Sequence, residues 1–193
     1  FLSHIPEASC DVPGYRAWVD QQDFAPAYRW MRRMLQLLQW QKRQRGEPVL
    51  PFVLKTPAHL GYLDTLLDEL PDAHIVHTHR DPGVVIPSGA SLNTTLWRTH
   101  GDEVDPHEVG RQWLERMGWA CDRAMVARTS IPTEQVTDVA FTDAAADPIG
   151  TGWTSSRESW YSSGRIALIR LSSSASRAPS FTVIVIAVCS PRK

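Results

Sequence analysis

Hydrophobic positions change their rhythm several times along this chain, and each change predicts an element. Residues 1–25 mix Pro6, Pro13 and Gly14 with Asp and Ser, and read as loop with a short helix at 15–22. From 27 to about 45, Trp30, Met31, Met34, Leu35, Leu37 and Leu38 recur at three-and-four spacing among Arg29, Arg32, Arg33, Lys42, Arg43 and Arg45. That pattern predicts an amphipathic helix ended by Gly46 and Pro48. The short apolar run 49–55 (VLPFVLK) predicts a buried strand. Leu60, Leu63, Leu67 and Leu70 mark one helical face that Pro71 stops, and 73–79 (AHIVHTH) predicts a second strand. Two strands joined by one helix imply parallel pairing with a right-handed crossover.

Arg80-Asp81-Pro82 follows the second strand, and a helix is expected over 84–99. Another opens near Asp105-Pro106 and runs to about 128. Residues 136–141 predict a third strand, with a helix beginning in 143–150. The fold class expected is α/β, in two parts. Residues 1–150 form the structured domain. Residues 151–193 form an atypical tail holding eleven serines and a single acid, Glu158. A shifted reading frame and a disordered appendage both account for such a tail. The apolar run 181–188 (FTVIVIAV) is far short of the roughly 20 residues a membrane helix needs.

Composition narrows the function. The chain has 193 residues, enough for one ordinary domain. A net charge of −1 gives no field to recruit nucleic acid or an anionic membrane. The three cysteines, Cys10, Cys121 and Cys189, form no CxxC pair and no even disulfide set, so a cytoplasmic setting is expected. His74, His77 and His79 raise a metal question. Strand alternation puts His77 and His79 on one face and His74 on the other, and no Cys or carboxylate with ligand spacing joins them in sequence, so no metal site is expected.

The stretch with chemistry is 75–92, IVHTHRDPGVVIPSGASL. An Arg stands at the carboxyl end of a strand, where open α/β sheets bind ligands. An Asp-Pro turn leads into a helix whose first N–H groups favour anions. Arg80 is able to grip two phosphate oxygens, and Ser88, eight residues on, adds a neutral donor. Together they make a phosphate clamp.

In this clamp the chain resembles the sulfotransferases, whose 3′-phosphate motif has the same strand, Arg, Pro turn and Ser offset. Residues 53–62 (VLKTPAHLGY) are similar to that family's strand-end Lys-Ser/Thr-Pro element, and 138–150 (DVAFTDAAADPIG) to the strand and helix start before its carboxyl-terminal region. The resemblance covers about 25–150 and is nearest a bacterial, actinobacterial-like branch. It implies a P-loop-NTPase-like parallel sheet and the donor 3′-phosphoadenosine 5′-phosphosulfate (PAPS), released as the 3′,5′-bisphosphate PAP. Arg80 and Ser88 are the implied donor-binding residues, and Lys55 and His59 the implied catalytic ones. Lys55 would stabilise charge on the oxygens in transfer. His59 would take the acceptor proton, although cytosolic members carry their His closer to the Lys. No metal is implied. The acceptor is a small molecule, glycan or lipid bearing a hydroxyl or amine, and no motif chooses among them.

The chain also departs from the family. No Pro-Arg-Ser-Gly-Thr-Thr type loop, which holds the donor's 5′-phosphosulfate, is present. Ile86-Pro87-Ser88-Gly89 has similar letters but falls inside a predicted helix. The chain opens Phe1-Leu2-Ser3 without Met, so an N-terminally truncated domain lacking its first strand is expected. Two functions therefore stay open: a sulfotransferase, and an inactive or vestigial PAP-binding fragment. A P-loop kinase is disfavoured by the lack of a GxxxxGK[ST] loop.

Overall fold

The computed structural model describes residues 3–146 and, as backbone, 181–188. Helices α1 (Ile5–Ser9) and α2 (Pro13–Val19) precede the long α3 (Ala25–Gln44). Strand β1 (Phe52–Lys55) leads through a 3-10 segment (Pro57–Tyr62) into α4 (Leu63–Glu69). Strand β2 (Ala73–Arg80) is followed by α5 (Pro82–Trp97) and α6 (Pro106–Arg128). After a short 3-10 turn (Thr133–Gln135) come β3 (Val136–Ala140), α7 (Phe141–Ala146) and β4 (Phe181–Val188).

Local chemistry explains where these helices start and stop. The Asp23 side chain accepts the Ala25 N–H at the head of α3. At its tail, Gly46 takes φ +69, Gly46 N donates to Arg43 O, and Glu47 N donates to Lys42 O. This pair of bonds satisfies carbonyls the helix leaves free, and the positive φ calls for glycine. Asp81 caps α5 through Gly83 N, and Asp105 caps α6 through His107 N, each with Pro at the next position.

The four strands are ordered β1-β4-β2-β3. β2 and β3, the third strand the sequence predicts, pair in parallel, with α5 and α6 in the crossover. β1 and β2 also run in the same direction, but they do not pair directly. β4 lies between them, antiparallel to both. This corrects the expected β1–β2 pairing: the sheet is mixed, and its central slot is taken by the run 181–188. The rest of the predicted tail, and the end of the helix expected over 143–150, lie outside the described residues.

The core sits between the sheet and the helices. Leu60, Leu63, Leu66 and Ile75 pack with Met117, Ala120 and Ala124 of α6. One expectation is turned around on α3. Tyr28 is buried and Met31 and Leu35 are half-buried, whereas Trp30, Met34, Leu37 and Leu38 of the predicted apolar face are exposed. The helix carries two apolar stripes, and the inward one holds Tyr28, whose hydroxyl meets a partner in the interior. Among the described residues no helix is long and apolar enough to cross a membrane.

Candidate active site

The strand register sets the geometry of the sheet's carboxyl edge. Lys55 and Val76 both face Val185, so Lys55 is level with Val76, four positions before Arg80. That offset is about 13 Å along the strands, and two strand spacings add about 10 Å across them, so the two Cα atoms lie roughly 16 Å apart. Opposed residues share a face and strands alternate, so Lys55, Val76 and Arg80 are on one face of the sheet. Ile75 and the core are on the other.

Arg80 is exposed at the end of β2, and its guanidinium stacks 4.4 Å over the Phe141 ring. It forms no hydrogen bond or ion pair among the described residues, so the guanidinium edge is open to an anion while its face rests on an aromatic ring. Ser88 is also exposed, the seventh residue of α5 and so about 9 Å along the axis from Pro82. The turn itself is less open than the sequence implies. Asp81 Oδ1 accepts the Gly83 N–H at 2.8 Å, so an anion meets a carboxylate already seated on the helix start. Lys55 is exposed at the end of β1.

His59 is placed quite differently. Thr56 caps the 3-10 segment by accepting the Ala58 N–H, and this tight turn carries His59 inward to 7% exposure. Its Nδ1 shares a hydrogen bond of 2.8 Å with the Tyr28 hydroxyl. Burial pulls the His59 pKa down to about 4 and drives that of Tyr28 well above its usual value, so both are neutral near pH 7.

His59 and Tyr28 line a cavity of about 380 Å³ enclosed by α1, α3, the 3-10 segment, α5 and α6. Its wall is mainly aromatic and aliphatic: Phe24, Met31, Tyr62, Trp97, Trp113, Met117 and Trp119. At one end Arg116 donates to Glu7 at 2.7 Å and pairs with Asp20 at 2.8 Å, while His4 binds Glu7 and the Tyr62 hydroxyl. Burial alone would raise the Glu7 carboxyl, but the His4 hydrogen bond and the Arg116 guanidinium hold it below the usual range. Trp113, Met117 and Trp119 sit at helical spacing in the sequence, which reads as core, and all three pack on the core while also lining the cavity. Tyr28, Trp97 and Arg116 gave no sequence signal, because the cavity gathers them from three separate helices.

The histidines partly depart from expectation. His74 does turn away, to Thr137. His77 and His79 share the other face, but a carboxylate does join them: Asp138, the register partner of His77 on β3. His79 Nε2 donates to Asp138 at 2.6 Å, and ligand atoms of His77, His79 and Asp138 lie within 4.8 Å of one another. Arg128 already occupies this group. It binds both Asp138 oxygens, at 2.7 and 2.5 Å, and donates to His77 Nδ1 at 3.0 Å. Burial would lift the Asp138 pKa, but the His79 and Arg128 hydrogen bonds drive it far down. The guanidinium thus supplies the charge and the donors that a cation would otherwise provide.

A family model described as the sulfotransferase family matches residues 2–152. The Omega-hydroxy-beta-dihydromenaquinone-9 sulfotransferase Stf3 of Mycobacterium bovis is 34% identical over 91 residues, which is 46% of this chain and 23% of that protein. The protein of the same name from Mycobacterium tuberculosis matches over the same share at the same identity. The alignment therefore spans less than a quarter of those relatives' length. No solved structure matches the chain. With the family match covering most of its length and reaching across the Arg80 turn, this chain belongs to the sulfotransferase family.

Proposed function

We propose that residues 1–150 form a PAPS-using sulfotransferase unit that transfers a sulfuryl group to an acceptor hydroxyl. The observation that carries this reading is Arg80: an exposed guanidinium at the carboxyl end of a parallel strand, unpaired among the described residues, with the exposed Ser88 eight positions on. These two would hold the donor's 3′-phosphate, the Arg by two N–H groups and the Ser by one O–H. Lys55, on the same face of the sheet, would stabilise the oxygens that gain charge as the sulfur–oxygen bond to the donor breaks.

His59 would accept the acceptor's hydroxyl proton as the new oxygen–sulfur bond forms. For that, Nδ1 has to carry the ring proton and donate it to the Tyr28 hydroxyl, leaving the Nε2 lone pair free. No covalent intermediate is required, because positioning and charge stabilisation suffice for in-line transfer of this kind.

A second reading, nucleotide binding without transfer, has one feature in its favour. Among the described residues the carboxyl edge carries no turn of the Pro-Arg-Ser-Gly-Thr-Thr type. Incubation with sulfur-labelled PAPS and a panel of alcohols separates the two. Label transferred to an alcohol, and reduced at least about tenfold in Lys55→Ala and His59→Ala, supports the enzyme. PAP binding with no transfer to any alcohol supports the second reading.

A further inference from the structure

We propose that the outward face of α3 docks on a membrane surface rich in anionic phospholipid, with the helix lying in the headgroup plane. Docking there does not depend on whether the chain transfers sulfate.

The first support is an apolar stripe turned to solvent. Tyr28 anchors the inner side of α3, and Leu37, nine residues on, lies on the opposite side of the helix. Around Leu37, the side chains of Trp30, Met34, Leu38 and Trp40 are all exposed, and the two tryptophans are more than half exposed. Single exposed apolar residues are ordinary, but five on one helix face form a patch. Among the described elements α3 packs chiefly on α4, on the side where Arg29 and Arg32 reach Glu69.

The second support is charge. The 20 residues of α3 hold Arg29, Arg32, Arg33, Lys42 and Arg43 and no acid. Glu69 engages Arg29 and Arg32, and Glu47 engages Arg45 just past the helix. Arg33, Lys42 and Arg43 form no hydrogen bond or ion pair among the described residues. The net charge of −1 conceals this segregation. An anionic surface feels the local charge, because screening acts within about 10 Å at 0.1 M salt. Apolar and aromatic residues in the middle with cations at the flanks suit a helix in the membrane interface. Tryptophan there sits at headgroup depth, and long basic side chains reach the phosphates. At 20 residues α3 is about 30 Å long, but its five charges keep it from crossing the bilayer.

Other occupants match the charge less well. A second copy on a twofold axis would set the same cations against one another. The chain outside the described residues brings no counter-charge: in 147–180 Arg157, Arg165, Arg170 and Arg177 outnumber Asp147 and Glu158, and 189–193 holds Arg192 and Lys193. A nucleic acid would meet the tryptophan and leucine stripe where its phosphates need cations.

The test mixes the whole chain with sucrose-loaded vesicles of phosphatidylcholine alone, or of equal parts phosphatidylcholine and phosphatidylglycerol, and reads the bound fraction by sedimentation. The anionic vesicles should bind at least about tenfold more tightly at about 0.1 M salt. That affinity should fall at least about tenfold at about 1 M, where screening shortens to about 3 Å. Arg33→Gln and Arg43→Gln should each cost about fivefold, the worth of one basic side chain near such a surface. Trp30→Ser should cost at least about fivefold through lost apolar burial, and Leu37→Ser serves in its place if the melting temperature falls. Arg98→Gln, which removes an exposed cation outside α3, should bind like the wild type.

Equal binding to both kinds of vesicle, binding to neither, or equal losses from Arg98→Gln and Arg33→Gln would overturn the proposal. So would a dimer in solution that Trp30→Ser dissolves, which would assign the face to a second copy. Duplex DNA binding that Trp30→Ser leaves intact, with no vesicle binding, would assign it to nucleic acid and overturn the proposal as well.

Discussion

The Tyr28 hydroxyl lies 2.8 Å from His59 Nδ1, in a setting that leaves both side chains neutral. A helix residue and a 3-10 residue thirty-one positions apart thus fix one imidazole at the edge of an apolar cavity. Tyr28→Phe removes the partner and keeps the ring. Equilibrium unfolding should show a loss of about 1–3 kcal/mol, because the buried Nδ1 is left without a hydrogen bond. If His59 is the base, turnover should fall as well, with KM little changed. Unchanged stability would mean that this contact is not made in solution.

Acid should weaken the fold from about pH 6.5 downward, as buried histidines come under pressure to charge. His59 and His77 have pKa values pulled by burial to about 4 and about 3, below the value of about 6.5 expected in the unfolded chain. Between those limits the unfolded state binds more protons, so stability is full above pH 6.5 and falls as the pH drops toward 4. Each histidine contributes up to roughly 3 kcal/mol to this loss. Urea unfolding at pH 7 and pH 4.5 checks it: His59→Gln and His77→Gln should each flatten the dependence. Equal slopes in wild type and both variants would contradict the burial of these rings.

Two glycines make room for the tryptophans around the cavity. A Cβ on Gly89 would stand 2.2 Å from Trp113 Nε1, and one on Gly61 would stand 2.3 Å from Trp119 Cζ3. Gly89→Ala and Gly61→Ala should each cost about 1–3 kcal/mol in thermal or chemical unfolding, by overpacking. Gly118 supplies the contrast. It lies within α6 with nothing within 4 Å of its Cβ position, so Gly118→Ala should stabilise by about 0.5–1 kcal/mol.

The group of His77, His79, Asp138 and Arg128 behaves as an ion-pair network on this account. Zinc added to the wild-type protein should leave its melting temperature unchanged, because Arg128 holds the Asp138 carboxylate by both oxygens. A zinc-dependent rise, lost in His79→Ala, would show that the metal displaces Arg128.

What the sequence made legible is mostly local. Asp81 and Asp105 each precede a proline and cap the next helix, so the starts of α5 and α6 could be read directly, as could Arg80 at its strand end. The end of α3 was equally plain, because Gly46 and its neighbours close the helix by backbone bonds. Long-range choices were not. The run 181–188 is apolar apart from Thr182 and has no alternation to say which strands it joins, and it separates β1 from β2. Asp138 meets His77 only through the β2–β3 register. On α3, two apolar stripes compete, and the inner one is selected by a partner, His59, on another element. The cavity assembles Tyr28, Trp97 and Trp113 from three helices, which no local pattern announces.

The binding role of Arg80 is tested most directly by calorimetry with two nucleotides that differ in a single group, PAP and adenosine 5′-phosphate. Wild-type protein should prefer PAP by at least about thirtyfold, a charge-assisted bidentate contact being worth roughly 2–3 kcal/mol, and Arg80→Ala should bind both alike. Equal affinity for the two nucleotides in the wild type, or a preference that persists in Arg80→Ala, would contradict the assignment.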